Sequence, residues 1–273
     1  MTDEGLPPGL ASSPQIDTSV SHSARVWDYW LGGKDNYPVD RQVGDRISQM
    51  LPDIVKHARA DRMFLGRAVR YLAGDAGIRQ FLDIGTGLPT VDNTHEVAQR
   101  VAPECRIVYV DNDPLVLVHA QALLTSSPQG VTDYLHADLR DPADVLAGAA
   151  RTLDLTRPVA ITILGVLWHI TDGNEARAIL GRLMAALPSG SYLAVAHPTL
   201  EVTGAKMAAA IDYWNSHGTP PGTHRTPAQI ASLLDGLELV EPGVVSSTRW
   251  RPEATPFGEP EAIDQFCAVG RKP

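Results

Sequence analysis

From about Gly77 onward the chain alternates short β-rich runs with helix-length amphipathic segments, and this alternation limits its fold more than any other feature. Strands separated by helices cannot pair as hairpins, so they read as a parallel sheet with crossover helices on its faces. The pattern predicts strands over 80–84, 106–110, 132–136, 159–164, 192–196, 237–245 and 263–270. Asp113-Pro114, Asp141-Pro142 and Thr226-Pro227 each set a capping oxygen before a proline at the first helical position, and Asp172 with Glu175 resembles a capping box. Only a loop around 246–260 separates the last two strands, so they are expected as an antiparallel pair at one edge.

Ahead of the sheet, 19–72 reads as helical. A serine cap leads into Val26, Trp27, Trp30 and Leu31 at helical spacing, with Gly32-Gly33 as the stop. A second helix carries Val43, Ile47 and Met50, and a third sets Phe64, Leu65, Ala68, Val69 and Leu72 on one face. With 273 residues the chain suits one enlarged domain, divided here as a disordered leader (1–18), a helical extension or lid (19–76) and an α/β domain (77–273). The formal charge of −9 opposes phosphate backbones and anionic lipid, so neither a nucleic acid nor a membrane is expected as partner. No apolar run is long enough to span a bilayer, and the N-terminus lacks a signal-peptide core. Two distant cysteines, Cys105 and Cys267, argue against a disulfide framework, so a reducing cytoplasm is expected; no metal-ligand spacing is visible.

The chemistry concentrates at three successive strand tips. Asp83-Ile84-Gly85-Thr86-Gly87 ends the first strand, where Gly-x-Gly lets the backbone approach a ligand that a Cβ would block. Thr90 stands where a dinucleotide fingerprint has its third glycine, and Asp83 would oppose a diphosphate but suit a cation. Asp111, followed by Asn112, ends the second strand where a carboxylate accepts both hydroxyls of a ribose. Asp138 ends the third, able to accept from an adenine amino group while Leu139 covers the base. Each acid alone could be a helix cap; three in succession after a Gly-x-Gly imply a site.

On these residues the chain resembles the class I S-adenosylmethionine-dependent methyltransferases, and with Ala24 to Tyr37 and Leu237 to Gly243 it is similar to a family of S-adenosyl methyltransferases typical of actinomycetes. The resemblance implies a Rossmann-like α/β fold: seven mostly parallel strands, helices on both faces and an antiparallel C-terminal pair. It implies S-adenosyl-L-methionine as cofactor, with Gly85 and Gly87 along methionine and ribose, Asp83 near the ammonium, Asp111 on the diol, and Asp138 with Leu139 at adenine. Pro89 replaces a glycine frequent in the family.

The acceptor side is expected at the tips of the fourth and fifth strands. His169 is the candidate general base, or else caps the following helix. His197, Tyr213 and Arg225 are further candidates, Arg225 for a substrate carboxylate. Trp27 and Tyr29 could wall a pocket, and the polar loop carrying Lys34, Asn36 and Tyr37 is expected to fold over the cofactor. The acceptor is expected to be a small molecule. The competing readings are a non-catalytic S-adenosylmethionine sensor or partner-binding protein and, disfavoured by Thr90 and Asp83, a nicotinamide oxidoreductase.

Overall fold

The computed structural model describes residues 17–113, 115, 116, 119, 125–254, 256 and 258–273. The leader expected over 1–18 lies almost wholly outside the described residues, as does most of the helix expected from Asp113-Pro114. Helices α1 (Ser23–Leu31), α2 (Pro38–Met50) and α3 (Ile54–Gly74) come first. Then follow β1 (Gln80–Ile84), α4 (Thr94–Val101), β2 (Arg106–Asp111), β3 (Val131–His136), α5 (Pro142–Ala149), β4 (Ala160–Leu164), α6 (Gly173–Ala185) and β5 (Tyr192–Pro198). The chain closes with α7 (Ala205–His217), α8 (Pro227–Ser232), β6 (Glu238–Leu239), β7 (Val245–Ser246) and β8 (Gln265–Arg271).

The sheet runs β3-β2-β1-β4-β5-β8-β6, with β7 also paired to β8. Strands β1 to β5 are parallel, and β8 is antiparallel to β5, β6 and β7. Strand order reverses between β1 and β4, which opens a crevice at their C-terminal tips. The predicted strand 237–245 is instead two two-residue segments. Pro242 has no N–H to give a ladder, and Gly243 turns at φ 80° with its N–H on the Val240 carbonyl, so the chain leaves β8 and rejoins it.

Side chains alternate across the sheet. Phe81, Ile107, Tyr109 and Ala160 point to the face covered by α3 and α4, where they pack against Phe64, Leu65, Ala68, Val69 and Leu72. Leu82, Ile84, Val108, Val110, Ile161 and Ile163 point to the other face, against Val145 of α5 and Ala176, Ile179, Leu180 and Leu183 of α6. Helix α3 is therefore an integral layer of the sheet core. A third apolar cluster joins α1 and α2 to α7 through Val26, Val43, Ile47, Met207, Ile211 and Trp214. The expected serine cap of α1 is absent: His22 holds the cap position and its side chain makes no cap bond. No described helix is long and apolar enough to cross a membrane, and both cysteines are buried and free.

Candidate active site

A cleft open to solvent lies over the reversal point. It brings together Asp83, Gly85, Gly87, Asp111, Asn112, Asp138, Leu139, His169 and Trp27 of the residues singled out in the sequence. Gly85 has φ 74° and a Cβ there would overlap the Val166 side chain, so the position requires glycine twice over. Gly87 has φ 65°, and a Cβ there would meet nothing within 4 Å.

The carboxylates are held by distinct partners. Asp83 accepts from the Thr94 hydroxyl at 2.6 Å and the Thr162 hydroxyl at 2.8 Å, and burial pushes its carboxyl above the usual range. Asp111 accepts from the backbone N–H of Gly87 at 2.9 Å and of Asp113 at 2.9 Å, and burial raises it too. Both pairs of bonds orient the carboxylate while leaving lone pairs for a ligand. Asp138 accepts from the Asn112 side-chain amide at 3.1 Å and the Arg140 N–H at 2.8 Å. Leu139 is buried at the edge of the core.

Helix α3 adds two residues that sequence reasoning missed. Asp61, 5 % exposed, accepts from the Gln265 amide at 3.0 Å through Oδ1, and Arg62 donates to the carbonyls of Val91 at 3.3 Å and Asp92 at 3.1 Å. The Arg62 Nε is buried and has no partner among the described residues. Burial drives the Asp61 carboxyl up to about 6. The available signal was spacing: Asp61 is one turn before Leu65 on the apolar stripe of α3, where a charge needs a reason.

His169 borders the cleft, but its nitrogens are engaged. Nδ1 lies 3.0 Å from the Pro221 carbonyl and must carry the proton, which leaves Nε2 to accept from the Ser23 hydroxyl at 3.1 Å. Burial lowers its pKa to about 4, so the ring is neutral near pH 7 and a weak base.

The remaining expected acceptor residues lie elsewhere. Arg225 is 4 % exposed and donates to the carbonyls of Leu167 at 3.0 Å and Ile170 at 2.6 Å and to His197 Nε2, so it anchors the turn after β4 and lines neither the cleft nor the apolar cavity beside it. His197 is buried beneath it, held neutral by burial and by the Arg225 charge, which lower its pKa to about 3. Tyr213 stacks on His217, away from the cleft. The loop expected to cover the cofactor is tied by hydrogen bonds to α1 and α2, with Tyr37 packed against the cluster of Leu88, Leu115 and Val116, of which Leu88 lines the cleft. Asn36 donates to Asp28 at 2.8 Å, the Tyr37 N–H to Asp40 at 2.9 Å and the Tyr29 hydroxyl to Asp45 at 2.5 Å, while Lys34 is exposed. Helix α1 itself borders the cleft, through Ser23, Ala24, Trp27, Asp28 and Leu31.

Comparison with known proteins identifies the family. The sequence model of the S-adenosyl methyltransferase family matches residues 10–273. The crystal structure of a DUF574 family protein from Streptomyces avermitilis is 47% identical, with a TM-score of 0.91, 95% of this chain and 100% of that chain covered. A crystal structure from Thermobifida fusca is 38% identical, with a TM-score of 0.86 and 97% and 99% covered. The mitomycin 7-O-methyltransferase MmcR, 14% identical with a TM-score of 0.52 over 86% of this chain and 69% of its own, shares the fold. No curated protein matches.

Proposed function

Because the chain belongs to the S-adenosyl methyltransferase family and is an S-adenosyl-L-methionine-dependent methyltransferase, we propose that the cleft over β1, β2 and β4 holds the methyl donor and presents it to a small-molecule acceptor. The observation that carries this reading is the pair of carboxylates, buried Asp83 and half-buried Asp111, at adjacent strand tips beside Gly85 and Gly87.

The residues fit such a donor. Asp111, oriented by two backbone N–H groups, keeps lone pairs for a ribose diol; Asp138, Asn112 and Leu139 offer polar and apolar contacts to adenine. Asp83 supplies negative charge toward the methionine ammonium, and the unpartnered Arg62 Nε a donor toward its carboxylate. Bound there, the donor supplies a sulfonium-activated methyl group. The chain's task is to hold the acceptor in line with it and keep water out. His169 acts in this reading by fixing Ser23 at the cleft wall and not as the base. The net charge and the absence of formal charge in the adjoining apolar cavity favour a neutral small molecule over a nucleic acid. The family match gives no support to the non-catalytic alternative or to nicotinamide chemistry.

Calorimetry with S-adenosylhomocysteine tests the reading. Wild type binds, and Asp111→Ala weakens binding by about 100-fold, two charge-assisted hydrogen bonds being lost. A wild-type protein that binds neither S-adenosylhomocysteine nor S-adenosylmethionine overturns it.

A further inference from the structure

Beside the cleft lies a second, narrow cavity that opens to solvent. The two share Ser23, Trp27 and Gly165 in their walls. Four indoles line the second cavity, those of Trp27, Trp30, Trp168 and Trp214, with Met207 and Ile211. No residue lining it is Lys, Arg, Asp or Glu. Trp168 Nε1 and His57 Nδ1, both on lining residues, are buried without a partner, and His57 is 3% exposed. The indole N–H is a donor whatever the imidazole tautomer, and a buried donor left unpaired calls for a partner that the protein does not supply.

Asp61 stands where the two cavities meet. It follows His57 by one helical turn and Ala58 by three residues, and both of those line the apolar cavity, while Asp61 lines the cleft. Its Oδ1 is held by Gln265, another residue of the apolar wall. Its Oδ2 has no hydrogen-bond partner among the described residues and lies 3.8 Å from where a Cβ of Gly165, in the shared wall, would stand. Flat indole walls suit a ring system. The lack of formal charge in the lining leaves an anionic occupant uncompensated, and a cation could meet a countercharge only at Asp61. The lone carboxylate at the donor end suits a group that must lose a proton.

We propose that the apolar cavity is the acceptor pocket, that it takes a neutral aromatic alcohol carrying a hydrogen-bond acceptor at its far end, and that Asp61 receives the hydroxyl proton. The inference rests on the methyltransferase reading above. In the transfer the acceptor O–H breaks and its proton passes to Asp61 Oδ2. The oxygen lone pair forms the new bond to the methyl carbon of S-adenosyl-L-methionine. The C–S bond breaks with its electron pair remaining on sulfur, which becomes neutral, and the carboxyl returns the proton to solvent.

Binding without turnover tests this, with 4-hydroxyacetophenone as probe and acetophenone, which lacks the hydroxyl, as its control. Tryptophan fluorescence of wild type should report the phenol bound about tenfold more tightly than the control. Asp61→Asn should reduce that preference to less than about threefold. Ala210→Leu, which fills the cavity, should weaken both probes at least tenfold while S-adenosylhomocysteine binding stays within about threefold of wild type. Equal binding of the two probes by wild type, no binding of either, or no effect of Ala210→Leu overturns the inference. Failure of wild type to bind S-adenosylhomocysteine overturns the methyltransferase reading instead, so the two failures are separable.

Discussion

The strand-tip cleft and the apolar cavity share a wall but are built in opposite ways. The cleft is made at strand tips, from backbone turns and carboxylates whose positions follow from β1, β2 and the loops after them. The cavity is made between helices α1, α2, α3 and α7, from side chains distant in sequence, and almost all of its surface is apolar. A nucleoside donor is recognised by directional hydrogen bonds at fixed backbone positions, whereas an aromatic acceptor is recognised by shape and desolvation. The first region therefore tolerates little change at a few residues, and the second is tuned by packing.

The largest effect should come from Gly85→Val. The position needs both a left-handed backbone and the absence of a Cβ against Val166, so strain and overlap together should cost about 4 kcal/mol in urea unfolding and abolish S-adenosylhomocysteine binding. Retained binding would mean that the loop path is not what shapes the cleft. Arg225→Ala should come next. It leaves the carbonyls of Leu167 and Ile170 without their buried donor, costing about 3 kcal/mol, while a neutral acceptor probe should bind within about threefold once the fold is intact at low temperature. A loss of probe binding without loss of stability would restore Arg225 to a substrate role.

The difference in construction also explains what the sequence disclosed. Asp83, Gly85, Gly87, Asp111 and Asp138 were legible because strand, turn and capping chemistry are local, and the strand tips bring these residues into one cleft. Asp61 was not, because its meaning depends on α3 lying across the tip of β4 and on Gln265, 204 residues away. Arg225 and His197 looked chemical from their residue types, and only burial beneath the Leu167–Ile170 turn shows that they satisfy each other and the backbone. The split of the predicted strand 237–245 was marked in principle by Pro242. The fold class needed only periodicity; the partition of polar residues between site and scaffold needed the tertiary contacts.

A pH series should separate the two regions further. Burial holds the His169 pKa at about 4, below its ordinary 6.5; the hydrogen bond to the Pro221 carbonyl opposes that shift, and the neighbouring His22 and Arg140 add to it. The unfolded chain therefore takes up a proton first, and stability is present above pH 6.5 and lost as pH falls toward 4, by roughly 3 kcal/mol. His169→Gln should lack that loss. Asp61 has the opposite sign. Its carboxyl, at about 6 in the fold against 3.8 when free, with Arg62 on its own helix and Gln265 and a neutral Cys267 facing it from β8, contributes stability below pH 3.8 that disappears as pH rises through 6. Asp61→Asn should therefore remain stable as pH rises past 6, where wild type loses this contribution. In turnover the same ionisation should appear as kcat/KM rising through pH 6, because Asp61 must be charged to accept the proton. A flat profile there would detach Asp61 from the acceptor step.

The smallest expected effect is at Lys34, and it bears on what closes the site. The polarity of the Gly-Gly-Lys-Asp-Asn-Tyr segment suggests a lid, yet most of its polar groups are satisfied within the N-terminal helices, while Asp35 reaches His119 beyond them. Asp28 accepts from the Asp35 N–H at 2.9 Å and from Asn36, Arg41 donates to Asn36 at 2.9 Å, and Lys34 extends from this knot into solvent. Lys34→Ala should change stability by less than about 0.5 kcal/mol and leave S-adenosylhomocysteine binding unchanged in calorimetry. Trp27, by contrast, lines both cavities from α1, so Trp27→Ala should weaken donor and acceptor probe together, by about tenfold each. If Lys34→Ala weakened donor binding as much as Trp27→Ala, closure would belong to the loop after α1. If only Trp27→Ala does, the helix is the shared wall through which the polar and apolar regions act on one reaction.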